Sequence, residues 1–142
     1  MTCIPAEVFI DTTILLYGYD LDAPSKRHVA ADIMTKGWTQ LGSTAISVQV
    51  LQEFFVNALR RGQDRETLVQ LLGDLSLWPV VDNSLELFGH GVAIQERYQL
   101  SLWDAMIVAA ARTSGAKVLP TEDLNDGQDY GGVVAQNPFS EP

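Results

Sequence analysis

Three aspartates of this chain lie among residues that are otherwise apolar or neutral. Asp11 lies in the segment 8–16, Asp104 in the segment 100–108, and Asp123 closely follows a third apolar stretch. An ionised carboxylate in apolar surroundings costs several kcal/mol unless it is paired or binds a metal. The chain has nine Lys and Arg residues against eighteen Asp and Glu residues, so cationic partners are scarce. These aspartates therefore point to a bound divalent cation rather than to a set of salt bridges.

Asp11 and Asp104 also have simpler structural interpretations. Asp11 fits a turn or cap residue at the end of a strand, although the residues that follow it leave little room for solvent. Asp104 shares an apolar helix face with Ile107 and Val108, and in a first turn it fits a carboxylate that helps to cap its own helix. Because such a carboxylate can also bind a metal, we favour a functional role for both aspartates.

Glu53 is less conspicuous than the aspartates. It lies in a polar stripe of a predicted helix with Gln49, Asn57 and Arg60, opposite the predicted core face. That core face comprises Val48, Leu51, Phe55, Ala58 and Leu59. On residue type alone the polar stripe is solvated, and the alternative is that it lines a cleft.

Four more acids are crowded into one predicted loop, namely Glu122, Asp123, Asp126 and Asp129. The sequence 125–127 is typical of a solvated turn, so part of this run has a structural explanation. Two metal ions that cleave a phosphodiester bond need about three to five carboxylates from separate chain positions. The chain offers such a set in Asp11, Glu53, Asp104 and Asp123.

The ligand types indicate which metal such a site would take. Oxygen ligands without His or Cys favour Mg²⁺ or Mn²⁺ over zinc. His28 and His90 lack partners at ligand spacing, and we expect both at the surface. The single cysteine, Cys3, offers neither an intramolecular disulfide nor a Cys-based zinc site.

Alternating strands and helices must position these acids. We predict short strands over 7–10, 41–46, 77–81, 118–120 and 133–136. The helix signals are caps, Pro and Gly at the ends of periodic segments. They predict five helices. The first covers 24–35 and is closed by Gly37, the second runs from the cap Ser47 to Arg61 before Gly62, and the third covers 65–75 after the cap Asp64. The fourth runs from a capping box at 83–86 to Tyr98, and the fifth from the cap Ser101 to Gly115.

This alternation predicts a parallel α/β sheet with helices on both faces. Ligands of open parallel sheets bind outside the carboxyl ends of the strands, where the strand order reverses. Asp11 and Asp123 both follow predicted strands, so we expect them in one site at that edge.

Composition sets further limits on this 142-residue chain. Its length fits one domain, and 46% hydrophobic residues are too many for a disordered chain. The longest apolar run, 105–111, is too short to span a bilayer, and the amino terminus lacks a secretory signal, so we expect a cytoplasmic protein. The net charge of −9 argues against a broad basic surface for nucleic acid, an argument that weakens if the acids converge on metal ions.

Five segments match one known pattern in chain order. They are 9–15, with an aspartate after the first strand; 47–54, a helix with a glutamate; 100–105, before an Ala-rich helix; 119–124, with Thr121 and Asp123 after the fourth strand; and 137–139. In these segments the chain resembles a PIN domain, specifically a VapC-type toxin ribonuclease, over nearly its whole length.

The resemblance implies a single PIN domain over 1–142 with strand order 3-2-1-4-5, in which Asp11 and Asp123 flank the switch between strands 1 and 4. It implies Mg²⁺- or Mn²⁺-dependent cleavage of single-stranded or structured RNA, with Asp11, Glu53, Asp104 and Asp123 as catalytic metal ligands. It thereby reverses the interpretation of Glu53 as a solvated residue. It also implies a homodimer that does not associate with membranes and is inhibited by a small antitoxin.

Several residues are candidates for supporting roles. Thr13 stands where members of the family often carry asparagine, and its hydroxyl can bind a carboxylate or a metal-bound water, while Thr121 would orient one of the acids. Asp126 is either a fifth acid or a residue that shapes the turn. Arg60 and Arg61, at the end of the Glu53 helix, are candidate phosphate contacts.

Two other functions compete with this one. A haloacid-dehalogenase-like phosphohydrolase would use Asp11 as a covalent nucleophile, but Thr13 stands where it needs a second acid, and Lys117 precedes its strand. The other alternative is a non-catalytic PIN-like domain that only binds a partner.

Overall fold

The fold is an α/β sandwich built on a short parallel sheet. The computed structural model describes residues 5–19 and 23–140, and within them it has five strands and six helices. The strands are β1 (Val8–Phe9), β2 (Thr44–Ser47), β3 (Val80–Val81), β4 (Val118–Pro120) and β5 (Val134–Gln136). The helices are α1 (Thr12–Gly18), α2 (Pro24–Thr39), α3 (Val48–Arg60), α4 (Arg65–Leu75), α5 (Leu85–Tyr98) and α6 (Leu102–Thr113).

All strand pairs are parallel, and their order is β3-β2-β1-β4-β5, which confirms the predicted order. Val8 of β1 pairs with Thr44 on one side and Val118 on the other, so β1 is central. Parallel crossovers are right-handed, and the chain moves in one direction from β1 to β3 and in the other from β3 to β4. The helices of these two sections therefore cover opposite faces, and Phe9, Ala45 and Leu119 are buried between them.

Helix α1 is an element that the sequence patterns did not predict. The Asp11 backbone is extended, and its carboxylate Oδ1 accepts a hydrogen bond from the Ile14 N–H at 3.2 Å, so Asp11 is the N-cap of this helix. The helix has seven residues, and Ile14 and Leu15 are fully buried in it. A helix this short is missed because two turns are too few to establish a hydrophobic period.

The predicted end of α2 at Gly37 is wrong, because the helix continues to Thr39. Gly37 is buried inside the helix, and a Cβ at this position would lie 2.6 Å from Cζ2 of Trp78. The glycine therefore allows the close approach of an indole ring rather than ending the helix. Such an approach depends on tertiary packing, so no local signal reveals it.

The buried face of α3 also differs from the predicted one. Its buried residues are Gln49, Val50, Phe54 and Ala58, whereas Val48, Leu51, Phe55 and Leu59 of the predicted face are only partly buried. The helix is thus rotated so that Glu53 lies beside the buried face and not opposite it.

The cap predictions are otherwise confirmed at Ser47, Asp64 and Ser101, whose side chains each accept a backbone N–H of the following turn. At α5 the cap is Ser84 rather than the first residue of the predicted box, Asn83. The expectation for Cys3 lies outside the described residues. Within residues 5–19 and 23–140, no helix combines the length and apolar character needed to cross a membrane.

Candidate active site

Four acids predicted as site residues line one small cleft at the carboxyl edge of the sheet. Asp11 follows β1, Glu53 lies on α3 after β2, Asp104 is in the first turn of α6, and Asp123 follows β4. The cleft has a volume of about 70 Å³. Four separate parts of the chain therefore place carboxylates at the point where the strand order reverses.

Asp11 is the most deeply buried of these acids, with 5% of its surface exposed. Burial raises the pKa of Asp11 to about 7, because an ionised carboxylate loses its hydration there. Hydrogen bonds from the Thr121 side chain and from the backbone of Ile14 oppose this rise, and the nearby charge of Asp123 adds to it. The residue is thus both a helix cap and a carboxylate in a setting that disfavours its charge.

Glu53 is held at the cleft by two polar side chains. Its Oε1 accepts a hydrogen bond from Nε2 of the buried Gln49 at 3.0 Å and another from the Thr12 hydroxyl at 3.4 Å. Gln49 also donates to the backbone carbonyl of Trp103 at 3.3 Å, which links α3 to the start of α6. Sequence reasoning gave no site role to Gln49 or Thr12. The available signal was that Gln49 precedes Glu53 by four residues, one helical turn.

Asp104 lies in the first turn of α6, and Ser101, three residues before it, is the N-cap, as predicted. The Ser101 hydroxyl accepts the Asp104 backbone N–H at 3.1 Å and fills that role. Burial raises the pKa of Asp104, and the charge of Asp123 adds to this rise, while a hydrogen bond from Ser101 opposes it. The Asp104 carboxylate therefore lines the cleft and also contacts the cap residue of α6, so the structural and the functional interpretations hold together.

Two threonine hydroxyls position Asp123, which is exposed at the rim. The Thr13 hydroxyl donates to Asp123 Oδ2 at 3.2 Å, and the Thr121 hydroxyl accepts the Asp123 backbone N–H at 3.1 Å. The contact of Thr13 with a carboxylate is one of the two contacts predicted for its hydroxyl. Thr121 thus holds the backbone of Asp123, and the same side chain lowers the pKa of Asp11.

Residues 8–126 match the PIN domain family. The chain belongs to that family. No curated protein matches it in sequence. Its membership agrees with the resemblance seen in the motifs and disfavours the haloacid dehalogenase interpretation.

Several known structures of similar fold are described as toxins or toxin–antitoxin complexes. A toxin–antitoxin complex from Klebsiella pneumoniae contains a chain 26% identical to this PIN domain, with a TM-score of 0.68, over 95% of this chain and 100% of that one. VapC20 of Mycobacterium tuberculosis, described as a sarcin–ricin loop cleaving toxin, is 17% identical with a TM-score of 0.59, over 82% and 92%. DNA-bound VapBC from Salmonella typhimurium is 18% identical with a TM-score of 0.62, over 94% and 98%. For the last two structures, which are less than 25% identical to this chain, the likeness shows a similar fold and nothing more.

The remaining predicted site residues of this PIN domain lie outside the cleft. Asp126 Oδ1 accepts the Asn137 backbone N–H at 2.8 Å, which is a turn-shaping contact. Arg60 is exposed on the last turn of α3, and Arg61 lines a separate groove of about 710 Å³ with Phe54 and other apolar side chains. Roles for these three residues in substrate or metal binding stay predictions. His28 and His90 are exposed, as predicted.

Glu122, the neighbour of Asp123, has a set of partners of its own. Its carboxylate accepts a hydrogen bond from the Tyr17 hydroxyl and pairs with Lys26 Nζ at 3.0 Å. Lys26 also lies over the rings of Tyr17 and Phe139, 4.8 and 5.5 Å from their centroids. We call Tyr17, Lys26, Glu122 and Phe139 the Glu122 cluster. Burial alone would raise the pKa of Glu122, but the hydrogen bonds from Tyr17 and Lys26 lower it.

The cleft acids lack such a partner and suit a hard cation in ligand type. The ion pairs within the described part of the chain involve Glu7, Asp32 and Glu122, and none involves a cleft acid. Carboxylate oxygens without nitrogen or sulfur are the donors that Mg²⁺ and Mn²⁺ prefer. Among residues 5–19 and 23–140, however, no three acids, histidines or cysteines form a ready-made metal-binding group. The cleft acids therefore fit Mg²⁺ or Mn²⁺ in the type of donor atom and in burial, and the structure gives no coordination geometry.

Proposed function

We propose that this PIN domain is a divalent-metal-dependent endoribonuclease and the toxin of a toxin–antitoxin pair. The observation that carries the proposal is the convergence of four acids from four separate parts of the chain on one cleft, without a cationic side chain among the described residues that line it. Family membership and the likeness to toxin structures add support.

The proposed mechanism assigns a role to each polar side chain of the cleft. Asp11, Glu53, Asp104 and Asp123 would hold Mg²⁺ or Mn²⁺, and the bound cation would stabilise the charge that develops on the phosphate during hydrolysis. Without a cation, Asp11 holds a proton up to about pH 7, and it would release that proton when a cation binds. Gln49 and Thr12 orient Glu53, and Thr13 orients Asp123.

The size of the cleft limits how a substrate can bind. A volume of about 70 Å³ is far below the roughly 300–1,000 Å³ of sites that enclose small molecules. The cleft can accept ions, water and phosphate oxygens but not a nucleoside. We therefore propose that the RNA lies across the mouth of the cleft with its bases outside.

The proposal includes a protein partner. The acidic cleft and the net charge of −9 suit an antitoxin segment that brings an arginine to the carboxylates, since guanidinium–carboxylate pairs are strong when they are shielded from solvent. Several of the similar structures are toxin–antitoxin complexes. A homodimer and a cytoplasmic location belong to the same proposal.

The decisive test uses the purified protein without any antitoxin. We expect it to cleave single-stranded RNA internally with Mg²⁺ or Mn²⁺ and to stop in EDTA, and we expect Asp104→Asn to be inactive under the same conditions. A folded protein that cleaves no RNA with either metal would favour the non-catalytic alternative. A phosphoenzyme trapped on Asp11 would instead favour the phosphohydrolase.

A second experiment tests the toxin assignment. Expression of the wild type should slow bacterial growth, and co-expression of the adjacent small reading frame should restore it. The matched control is Asp104→Asn, which should be harmless at equal expression. An active, well-expressed nuclease without toxicity would indicate a housekeeping PIN domain.

A further inference from the structure

Trp103 is a large aromatic side chain left exposed at the candidate active site. It lines the cleft beside Asp104, yet 68% of its surface is exposed. The other two tryptophans, Trp38 and Trp78, pack on each other with ring centroids 4.7 Å apart, and Trp78 is buried. Isolated exposed apolar residues are ordinary, but an exposed indole at the mouth of an acid-lined cleft needs an explanation.

The backbone of Trp103 is fixed relative to the cleft acids. The residue lies in the first turn of α6, two residues after the Ser101 cap. Its carbonyl accepts a hydrogen bond from Gln49 at 3.3 Å, and the same amide group of Gln49 holds Glu53. The indole ring has no hydrogen bond or ring contact to any other described residue, so it is presented on a rigid support without an internal partner.

The cleft itself lacks the usual means of holding a nucleic acid. Of the described residues that line it, none is Lys or Arg, and the chain as a whole carries a net charge of −9. Cationic side chains of the cleft lining therefore contribute no attraction to the phosphates, and a bound cation would act only on the phosphate at the cleft itself. Stacking of a base on an aromatic ring does not depend on charge and accepts any base, because every base has a π-face.

We propose that Trp103 stacks on an unpaired nucleobase adjacent to the phosphate that the cleft acids act on. This inference rests on the proposed function and deepens it, because it makes single-stranded nucleic acid the preferred ligand. A base inside a duplex already stacks on its neighbours and cannot offer its face to the indole. Trp103 is thus a substrate-binding residue, and the chemistry stays with the acids.

The first test measures binding without cleavage. Intrinsic tryptophan fluorescence is titrated with a single-stranded RNA in EDTA, with Trp38 and Trp78 as internal references because they pack inside the fold. We expect single-stranded RNA and single-stranded DNA to quench the wild type and a blunt duplex to leave it unchanged. Trp103→Phe should keep the affinity within a few-fold, while Trp103→Ala should weaken it about 10- to 100-fold, as measured by competition with a labelled strand.

The second test locates the base. RNA substrates that each lack one base are cleaved by the wild type and by Trp103→Ala, and KM and kcat are measured separately. We expect loss of one base beside the cut to raise the wild-type KM about 10- to 100-fold, with kcat nearly unchanged, and to have no further effect in Trp103→Ala. The control Leu85→Ala, which alters an 85% exposed residue outside the cleft, should behave as the wild type.

Several outcomes would overturn the inference. The first is that Trp103→Ala leaves the affinity and KM unchanged. The second is that the missing base and the substitution act independently on KM. The third is that duplex and single-stranded nucleic acid quench the fluorescence equally. A shift of Trp103→Ala from dimer to monomer with unchanged RNA affinity would assign the ring to self-association instead. If the wild type binds single strands through Trp103 but cleaves none, the proposed nuclease fails while the stacking site stands.

Discussion

Glu122 and Asp123 are neighbours in one loop, and their carboxylates have opposite surroundings. Glu122 is satisfied by Tyr17 and Lys26, which lower its pKa despite burial. Asp123 points to a cleft with other acids, where it raises the pKa of both Asp11 and Asp104. The chain thus neutralises one carboxylate with its own scarce cations and leaves the cleft acids without any described cationic partner.

This difference separates structural acids from candidate functional ones more clearly than burial does. Glu122 is partly buried, as is Asp104, yet folding favours the charge of the first and disfavours the charge of the second. Carboxylates whose charge is disfavoured by the fold are typical of functional sites, where a bound cation can offset that charge. The predictions below test this comparison.

The largest expected effect is on the pH dependence of stability without metal. The folded state holds the Asp11 proton up to about pH 7, whereas the unfolded chain releases it near the ordinary value of 3.8. Between these values the folded state binds more protons, so its stability should fall as the pH rises, by about 4 kcal/mol for this residue. Denaturant unfolding in EDTA at several pH values measures the slope.

Asp11→Asn is the matched variant for this measurement. Asparagine keeps an oxygen that can cap α1 and removes the ionisable group, so the variant should lose most of the slope between pH 4 and 7. Equal slopes in the wild type and Asp11→Asn would show that Asp11 is not the titrating group.

The next effect is on catalysis. Asp11→Asn and Asp104→Asn should each reduce RNA cleavage by at least about 100-fold, because each removes charge from the proposed metal site. Glu122→Gln removes a carboxylate from the same loop and should reduce cleavage less than tenfold. Initial rates at saturating metal provide the comparison, and near-wild-type cleavage by either aspartate variant would remove that residue from the site.

Metal binding should change the free energy of unfolding by an amount comparable to, or smaller than, the catalytic effect. A cation at a hundredfold excess over its dissociation constant should stabilise the wild type by about 2.7 kcal/mol. Glu122→Gln should be stabilised as much as the wild type, and Asp104→Asn should gain clearly less. In EDTA, Asp104→Asn should be at least as stable as the wild type, because Ser101 already caps α6. A large loss of stability of Asp104→Asn in EDTA would contradict the interpretation that the cleft acids repel one another.

The features predicted from sequence are those with local causes. The caps Ser47, Asp64 and Ser101 depend on a hydroxyl or carboxylate and the turn that follows it. The strand order is the exception, because it was predicted from the family resemblance and not from a local signal. Asp11 and Asp104 were predicted because carboxylates inside apolar segments are unusual in any fold. These signals are present in the sequence itself.

The features that the residue patterns missed depend on contacts between distant segments. Gly37 looked like a helix end, because the approach of Trp78 from elsewhere in the chain is invisible locally. Glu53 looked solvated, because the burial of Gln49 and the Thr12 contact both require the assembled edge of the sheet. Only the family resemblance placed Glu53 in the site, since its own periodicity pointed the other way.

The smallest expected effect is in the Glu122 cluster, and it should have the opposite pH dependence. Tyr17→Phe removes the hydroxyl that bonds to Glu122 and keeps the ring beside Phe139, so it should cost about 1 kcal/mol at neutral pH. Because the folded pKa of Glu122 lies below its ordinary 4.5, the stabilisation by its charge is present above that value and is lost as the pH falls through the lower folded pKa. The difference between the wild type and Tyr17→Phe in denaturant unfolding should therefore shrink in acid, where the Asp11 contribution is most favourable. A difference that stays constant down to acid pH would mean that the hydroxyl acts independently of the Glu122 charge, and the contrast between the two neighbouring carboxylates would lose its electrostatic basis.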